Sequence, residues 1–543
     1  MPRLLLRLLA AVHLVAFVSL WVQIDGLVGS RGILPAKEFF TYLERALGAG
    51  PLERFANAPS LLWVSSSDAA LHALCAAGVL LSLLALAGMV TAPVFGALWL
   101  CYLSLVWGGQ TFLAFQWDTL LLEATVCGVV LAPLGWPFRR PPGVPPGAGS
   151  RLRSFTASVR SAFQVAPVAT AGRPGLWLFR LLVVKLMFLS GAVKLLSLDS
   201  TWWQLTALDV HYLTQPLPVT ASWYAHHLPD WFHRLSVAIM FAVELVVPWC
   251  LFWRRLRRPG VWLLLALQLL IAATGNYGFF NLLTAVLCLS WLDRLPLAGP
   301  SRFGDPPAGS AADPKRLAGG AGTRFRWLAA ATILLLSLSV TARELTRSLP
   351  RGPDAPRRAV AVANLVDRVL VDPAAPLLRT IAPFRSINGY GLFRAMTTSR
   401  PEIVVEASAD GVIWNELVFR FKPGDPKRPP RAAQPHMPRL DWQMWFAALD
   451  PERADWLGSF VARLFEGEPA VLGLLGEASR QGESPGFVRL RLYDYAFSEP
   501  GADAGNGAAG GPAVWWRREF LYDLTPVLVR EAFVQDPGNG SPR

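Results

Sequence analysis

The chain has 543 residues, of which 53% are hydrophobic and 16% are charged. Soluble globular domains carry about 25% charged residues, so this composition excludes an ordinary soluble protein and indicates a membrane protein. The formal net charge of +13 could suit a nucleic-acid partner, but the positions of the cations favour a lipid bilayer and no nucleic acid.

Apolar runs that are long enough to cross the hydrocarbon core recur along the first two thirds of the chain, since about 20 apolar residues in a helix span it. The run over 260–292 is too long for one crossing, and the glycines of GNYGFFN at 275–281 favour a break there. One long tilted helix is the alternative, so the count varies by one or two. We predict about nine spans, near residues 4–24, 69–90, 93–112, 118–136, 176–197, 235–253, 260–275, 277–292 and 327–345.

Cations concentrate before the first span, between the fourth and fifth, after the sixth and after the eighth. The members of these groups are Arg3, Arg7, Arg139, Arg140, Arg151, Arg153, Arg160, Arg173, Arg254, Arg255, Arg257, Arg258, Arg294, Arg302, Lys315, Arg316, Arg324 and Arg326. With nine spans all four groups lie on one side, and positive residues mark the cytoplasmic side. We therefore expect the N-terminus inside and the residues after 345 outside, in a periplasm or an ER lumen.

This orientation divides the chain into a helical transmembrane domain over 1–345 and a soluble extracytoplasmic domain over 346–543. Residues 137–175 and 293–326 are predicted to be flexible inner loops, because their Pro- and Gly-rich stretches cannot bury a core. A similar Gly- and Ala-rich stretch at 499–512 reads as a loop insertion in the outer domain.

The outer domain carries the alternation of apolar and polar residues that is typical of strands. PEIVVEASADGVIWNELVFRFKPGD alternates on both sides of Asp410 and Gly411, which predicts a β-hairpin. Residues 486–498 and 514–524 alternate in the same way, while LDWQMWFAALD and ADWLGSFVARLFEGEPAVLGLLGE have helical periodicity. The expected domain is mostly β and sandwich-like, with a helical insertion, and is held against the outer membrane face.

Four ionisable residues fall inside predicted spans, where charges are rare and are either functional or paired. They are Glu123, Lys185, Lys194 and Glu244. Depth along the helices predicts the pairs Lys185–Glu244 and Glu123–Lys194. The two lysines are about half a turn out of phase, so they should face different neighbours. Two interpretations stay open: structural ion pairs with snorkelling lysines, or a functional polar cavity.

The outer loop over 199–234 holds several candidate polar groups for such a cavity: Asp209, His211, His226 and His227. The spacing of these histidines fits no metal site and no cysteine accompanies them, so neither a metal nor a cofactor is expected. Its tryptophans and tyrosines are typical of an aromatic belt at the membrane interface. Asp118 in QWDTLLLEA could lie at the mouth of the same cavity, or it could be a helix N-cap.

Three tryptophans of the outer domain are candidates for binding a client protein: Trp414, Trp442 and Trp445. Trp442 and Trp445 lie on one face of a predicted helix, and such a stripe more often packs into a core than faces a partner.

Several unlike segments occur in an order that resembles the lipase maturation factor family, over about residues 12–525. They are WVQIDGLVGSRGILP, QWDTLLLEA, LTALDVHYLTQPLP, WYAHHLPDWFHRLS, TGNYGFFNLLT, INGYGLFRAMTTSRPEIVVE and PRLDWQMWFAAL. The resemblance implies a multi-pass membrane protein that helps secreted clients such as dimeric lipases to fold and assemble, with a C-terminal domain that engages the client. It implies the ER membrane in animals, and the cytoplasmic membrane with a periplasmic domain in bacteria. It carries over no catalytic residue.

FLSGAVKLLSLDSTWW is also similar to a segment of vitamin K-dependent carboxylases, in which a lysine after a glycine is the active-site base. The matching position is Lys194, and burial can deprotonate a lysine. The alternative function is therefore a membrane-embedded enzyme that uses Lys194 or Lys185, with Glu123 and Glu244 around a cavity. Between the two, the sequence favours a non-enzymatic maturation factor.

Overall fold

The computed structural model describes residues 1–48, 50–134, 173–292, 321–349, 356–479, 484–500 and 514–535. The predicted inner loops at 137–175 and 293–326 and the predicted insertion at 499–512 lie outside these ranges except at their edges. At two of those edges the chain is already helical, because helices begin at Arg173 and Ala321.

A bundle of helices forms the first part of the protein. In chain order these helices are α1 (Pro2–Trp21), α2 (Ile24–Val28), α3 (Ala36–Leu47), α4 (Pro51–Asn57), α5 (Asp68–Ala87), α6 (Ala92–Gly108), α7 (Gln116–Leu131), α8 (Arg173–Leu196), α9 (Ser200–Trp203), α10 (Ala207–Thr214), α11 (Thr220–His226), α12 (Asp230–Leu245), α13 (Val247–Cys250), α14 (Arg254–Thr274), α15 (Phe280–Leu289) and α16 (Ala321–Ser348). By length and composition α1, α5, α8, α14 and α16 can cross a membrane, and α6 and α15 are shorter apolar helices. The chain is thus a multi-pass helical membrane protein.

The long apolar run over 260–292 is broken, as its glycines predict. The helix α14 ends at Thr274 and α15 begins at Phe280. Gly278 between them has φ +57, in the left-handed region that favours glycine. At Gly275 a Cβ atom would lie 2.1 Å from Gln215 Oε1, so only glycine fits beside that side chain.

In the described ranges the helices alternate in direction, α1, α6, α8, α14 and α16 running one way and α5, α7, α12 and α15 the other. One end of the bundle, called the basic end here, is marked by contacts from Arg7 to Ala87, Ala92 to Pro133, Arg326 to Ala132 and Arg180 to Ser290. At the opposite end, called the docking end, helix termini contact residues 386–449. The arginines at the start of α14 therefore lie at the basic end.

The C-terminal part contains an antiparallel sheet with helices packed on it. The strands are β1 (Pro401–Ser408), β2 (Asn415–Glu416), β3 (Phe487–Phe497), β4 (Trp516–Asp523) and β5 (Leu528–Val529), in the order β2-β1-β3-β4, with β5 also paired to β3. The helices are α17 (Arg357–Val366), α18 (Ala375–Ile381), α19 (Arg439–Leu449), α20 (Trp456–Glu466), α21 (Pro469–Leu472) and α22 (Arg530–Gln535). The predicted hairpin, the two later strands and the helical insertion are all confirmed.

The layering of this part explains its sandwich-like sequence pattern. Ile403 and Val405 of β1 face the helical insertion and share a buried cluster with Phe460 of α20. On the opposite face, Val404 packs in a separate cluster with Trp223 of α11. Among the described residues the sheet is single, and helices occupy the layers on both sides of it. At β1 both faces are therefore buried, as they would be within a two-sheet sandwich, whereas β4 at the edge is largely exposed.

The bundle and the C-terminal part share one continuous core. The largest buried cluster includes Leu20 of α1, Tyr277 between α14 and α15, and Trp442 of α19. Before the sheet, Leu378 of α18 packs against Leu336 and Val340 of α16. The division at residues 345 and 346 remains a prediction about domain independence, since the residues that follow it return to the bundle.

Candidate functional site

The four charged residues inside the helices form two ion pairs, but with partners other than those predicted. Lys185 Nζ contacts Glu123 Oε1, and Lys194 Nζ lies 2.8 and 3.0 Å from Glu244 Oε2 and Oε1. The predicted pairs Lys185–Glu244 and Glu123–Lys194 are therefore wrong. Depth was the wrong criterion, because angular position decides the partner: Lys185 lies on the face of α8 that packs on α7, and Lys194 on the face toward α12. The prediction that the lysines face different neighbours is confirmed.

The carboxylate of Glu123 is held by residues from the far end of the chain. Its Oε2 accepts hydrogen bonds from the Tyr390 hydroxyl at 2.6 Å and from the Asn388 backbone N–H at 3.0 Å. Lys185 Nζ also donates to Ser337 Oγ of α16 at 2.9 Å. A buried charge is tolerated when it is paired and hydrogen-bonded, and the Glu123 carboxylate receives two of its three partner residues, Tyr390 and Asn388, from the C-terminal part.

Asp118 is not the N-cap of α7, because that position is held by Phe115. It is also fully buried, so it does not lie at the mouth of a cavity. Its two carboxylate oxygens accept from Arg439 at 2.7 and 2.9 Å, and Tyr102 donates a third hydrogen bond at 2.5 Å. Arg439 also donates to the Phe112 carbonyl at 2.7 Å. A two-point contact between guanidinium and carboxylate is strong and directional, so this pair fixes α19 to the docking end.

A second buried arginine ties the sheet to the loop after α10. Arg400, at the start of β1, donates to the carbonyls of Leu213 at 2.6 Å and Pro216 at 2.8 Å, and to Glu402 Oε1 at 2.7 Å. Lys422 Nζ lies 3.0 Å from the other oxygen of Glu402. Burial lowers the pKa of the Arg400 guanidinium, while the charge of Glu402 opposes that shift.

The tryptophans of α19 are structural in this arrangement. The Trp442 indole donates to the Asn276 carbonyl at 3.1 Å and packs edge-on against Trp117 at 4.8 Å. Trp445 donates to the Thr214 carbonyl at 3.1 Å. Both side chains are buried, so in this conformation neither can contact a client. Trp414 is only half-buried, with the Arg489 guanidinium 4.2 Å above its ring.

A cavity of about 430 Å³ lies between α8, α12 and α14 at the docking end. The Lys194–Glu244 pair forms part of its wall, and Lys194 also lies 5.1 Å from the centre of the Trp202 ring. His211 lines the cavity as well, with its Nε2 3.3 Å from the Tyr277 hydroxyl. The structure therefore has a cavity with Lys194, Glu244 and His211 in its wall, but most of its lining is apolar, and a functional polar cavity stays a prediction.

The other polar candidates of the outer loop lie elsewhere. Asp209 pairs with His233 at 2.8 Å, the His227 ring contacts the Trp223 carbonyl at 2.7 Å, and the His226 ring packs against Phe497. Burial lowers the pKa of His226 to about 4, with the neighbouring histidines adding to the effect. Across the described ranges no group of three or more His, Cys, Asp or Glu side chains is arranged to hold a metal ion.

Sequence reasoning missed the C-terminal partners of the buried charges. Arg439 stands in PRLDWQMWFAAL and Tyr390 in INGYGLFRAMTTSRPEIVVE, two segments quoted for the family resemblance. Asp118 and Glu123 both stand in a third, QWDTLLLEA. The family's unlike segments thus meet at the docking end. The sequence signal that could have indicated the Asp118–Arg439 contact was a carboxylate in one of these segments and a cation in another.

Comparisons with known proteins find matches for both the bundle and the C-terminal part. Residues 1–298 match the family model described as lipase maturation factor transmembrane domain, and residues 386–526 match the lipase maturation factor C-terminal domain. Human lipase maturation factor 2 is 35% identical over 97% of this chain and 82% of its own length, and the Xenopus laevis protein of that name is 34% identical over the same shares. Bovine lipase maturation factor 1 is 32% identical over 97% of this chain and 88% of its own length. No solved structure matches the chain.

Proposed function

Because this chain belongs to the lipase maturation factor family, we propose that it is a membrane-anchored chaperone that assists the folding or assembly of secreted proteins such as lipases. The names of its relatives support a role in maturation, and its apolar helices make it an integral membrane protein. The proposal assigns the bundle to anchoring and the C-terminal part to client contact.

The proposed orientation puts the docking end and the C-terminal part on the secretory side. In a bacterium that side is the periplasm, and in an animal it is the ER lumen. The arginines at the basic end support this orientation, since positive residues accumulate on the cytoplasmic side. A reporter that is active only in the cytosol, fused after Arg543, should be silent. A strong cytosolic signal would contradict the proposal, because secreted clients could not then meet the C-terminal part.

The β1–β2 hairpin supplies the surface that suits a partly folded client. Its tip exposes 79% of Val412 and 67% of Ile413, next to the half-buried Trp414. Asp410 accepts hydrogen bonds from the backbone N–H groups of Val412 at 2.8 Å and Ile413 at 2.9 Å, and these bonds lower the pKa of its carboxyl. The turn therefore holds an apolar tip out into solvent, where it can contact exposed apolar segments of an unfolded chain. This tip is the observation that carries the proposal.

A double substitution tests the tip directly. Val412→Ser with Ile413→Ser should leave the thermal stability of the full-length protein unchanged, because both side chains are exposed. It should lower the yield of active secreted lipase from cells that depend on this protein, and should weaken crosslinking of the newly made lipase to it. The matched control is Leu52→Ser with Val64→Ser, which are 86% and 89% exposed and lie on the short helix α4 and in the segment before α5. Equal lipase yields from both doubles would contradict the proposed contact.

The alternative, a membrane-embedded enzyme that uses Lys194, is favoured by one observation: this lysine lines a cavity. Its ammonium is already engaged by both oxygens of Glu244, an arrangement that suits a structural pair better than a free base. Replacing both partners by apolar groups, as Lys194→Met with Glu244→Leu, should preserve folding, since such swaps are often neutral. Full maturation activity in this double variant would rule out the enzyme, and complete loss with a normal fold would support it.

A further inference from the structure

The cavity beside Lys194 opens toward the surface that faces lipid. Leu235, Ile239 and Leu270 all line it, yet they are 50%, 54% and 64% exposed. The helix α14 is long and apolar enough to cross a membrane, so its exposed Leu270 is expected to face acyl chains. An occupant can therefore enter between α12 and α14 without passing through water. The volume of about 430 Å³ is typical of pockets that hold a small molecule.

The charged pair and the histidine of the wall lie together near the docking end. Lys194 lies in the last turn of α8, and His211 and Tyr212 belong to α10, so these groups gather at the docking end. Leu186 and Met187 lie farther from that end of α8 and are apolar. Gln268 and Thr284 also line this deeper part, but their polar atoms are already hydrogen-bonded within the protein, Gln268 to Asn281 at 3.1 Å and Thr284 to the Phe280 carbonyl at 3.0 Å. A wall of this kind fits an amphiphile whose head lies at the docking end and whose chain points toward the basic end.

The charge of the cavity is already balanced. Lys194 is paired with Glu244, and both side chains are at most 7% exposed. A charged head group would add a buried charge that has no partner, which is strongly unfavourable. An uncharged head adds no such cost, so the ion pair selects against anionic and cationic lipids.

One polar atom in the wall lacks a partner. In the part of the chain that the structure describes, His211 Nδ1 is buried and makes no hydrogen bond. Burial lowers the pKa of His211 to about 4, and the charge of Lys194 adds to this effect, so the imidazole is neutral near pH 7. A neutral imidazole can donate to an ester carbonyl or accept from a hydroxyl.

From the lateral opening, the balanced charge and the unpartnered nitrogen, we infer that the cavity binds an uncharged single-chain lipid with a hydroxyl and ester head, of the monoacylglycerol type. The lipid enters from the leaflet at the docking end. Its chain lies along the apolar wall, and its head meets His211 beside the ion pair. This site is independent of the proposed client contact at the hairpin tip.

Photolabelling of the full-length protein in lipid nanodiscs tests the inference. The probe is a monoacylglycerol with a diazirine in its chain, and its adducts are mapped by mass spectrometry of the digested protein. Adducts are expected on α8, α12 and α14, with displacement by unlabelled monoacylglycerol. Ile239→Trp and Leu270→Trp, each alone, should narrow the opening and reduce labelling. Leu328→Trp and Leu335→Trp, at positions of α16 that are 68% and 67% exposed, should not.

The head group is tested separately. His211→Phe should weaken monoacylglycerol binding by roughly five-fold, the effect of one hydrogen bond, and should leave binding of an alkane probe of equal chain length unchanged. A melting curve for each variant shows whether it is folded. The inference is overturned if a fatty-acid carboxylate binds as tightly as the monoacylglycerol. It is overturned equally if the adducts map outside the cavity, or if the α12, α14 and α16 variants label alike.

Discussion

Asp118 and Arg439, 321 residues apart in sequence, form a two-point ion pair at 2.7 and 2.9 Å in which neither side chain is more than 1% exposed. One partner belongs to a helix of the bundle and the other to the C-terminal part. The pair therefore joins the two parts through their shared interior rather than through a surface contact. It gives a direct way to ask how strongly the C-terminal part depends on the bundle.

Removal of the Arg439 guanidinium should be among the most damaging single changes in the protein. Arg439→Met leaves the Asp118 carboxylate buried without its cation, which costs about 3–5 kcal/mol. We expect a large fall in the thermal unfolding temperature of the detergent-solubilised protein, measured by tryptophan fluorescence. Asp118→Leu combined with Arg439→Met should recover most of that loss. Arg453→Met, which removes an 87% exposed partner of Asp450, is the matched control and should change the temperature little. A fall of equal size in both single variants would show that burial of the pair is unimportant.

The hydroxyl of Tyr390 should contribute measurably to docking of the segment over 386–393. Tyr390→Phe deletes one hydrogen bond to a carboxylate, worth about 1.5–3 kcal/mol, without removing the ring beside Lys185. Limited proteolysis should then cut this segment faster than in the unchanged protein. Tyr224→Phe, a change at a 47% exposed tyrosine, should leave the rate of cleavage as it was. An unchanged rate in Tyr390→Phe would mean that Lys185 and Asn388 satisfy Glu123 without the hydroxyl.

Acidification should destabilise the contact between α1 and the C-terminal part through His436. Its Nδ1 lies 3.0 Å from Ser19 Oγ, and burial lowers its pKa to about 4, with Arg420 and Arg439 adding to the shift. The unfolded chain binds this proton below its ordinary pKa of about 6.5, whereas the folded protein resists it. The effect of His436 on the free energy of unfolding is therefore absent above pH 6.5. Below that pH the free energy of unfolding falls as the pH drops toward 4, and His436 contributes at most about 1.4 kcal/mol per pH unit to this fall.

Unfolding temperatures measured at several pH values between 7.5 and 4.5 check this expectation. His211 and His226 have pKa values lowered in the same way, so they contribute to the same fall. His436→Asn, which keeps a neutral hydrogen-bonding group, should make the dependence on pH shallower without abolishing it. A curve that keeps its slope in this variant would assign the acid sensitivity to groups other than His436.

Gly275 should not tolerate even one methyl group. Its Cβ position lies 2.1 Å from Gln215 Oε1 and 2.6 Å from the Tyr277 ring, and Gln215 is itself fixed by hydrogen bonds. Gly275→Ala should therefore lower the unfolding temperature, as overpacking typically costs about 1–3 kcal/mol. Gly96→Ala is the matched control, since open space surrounds that Cβ position. Equal temperatures for both variants would show that Gln215 moves aside freely.

Local sequence patterns were sufficient for the long apolar helices, the strands and the helical insertion of this fold, but not for its shorter helices such as α3 and α17. Hydrophobic run length predicted the apolar helices, and alternation around Asp410 and Gly411 predicted the β1–β2 hairpin, because both signals come from neighbouring residues. The paired carboxylates were also recognisable, since a charge within an apolar run requires a partner. The family resemblance rests on the order of several unlike segments along the chain, and some of these segments lie in the C-terminal part.

The identities of those partners could not be predicted in the same way. Depth placed Lys185 with Glu244, but the partner depends on which face of α8 each lysine occupies and on which helix covers that face. Arg439 and Tyr390 were harder still, because their contacts cross more than 260 residues of sequence. The cavity depends on side chains from five or more separate segments, and no pattern within one segment reports on such a space.

The hydrogen bond from Tyr390 to Glu123 also sets an order for biogenesis. The carboxylate enters the bilayer with α7, but the hydroxyl that caps it is synthesised 267 residues later. At translation rates of about 5–20 residues per second, the Glu123 carboxylate lacks the hydrogen bond from Tyr390 for on the order of tens of seconds after α7 has been made. Assembly of the membrane part is therefore completed only after residues 388–390 have been made, so a ribosome stalled shortly before residue 388 would leave an immature product for quality-control proteases.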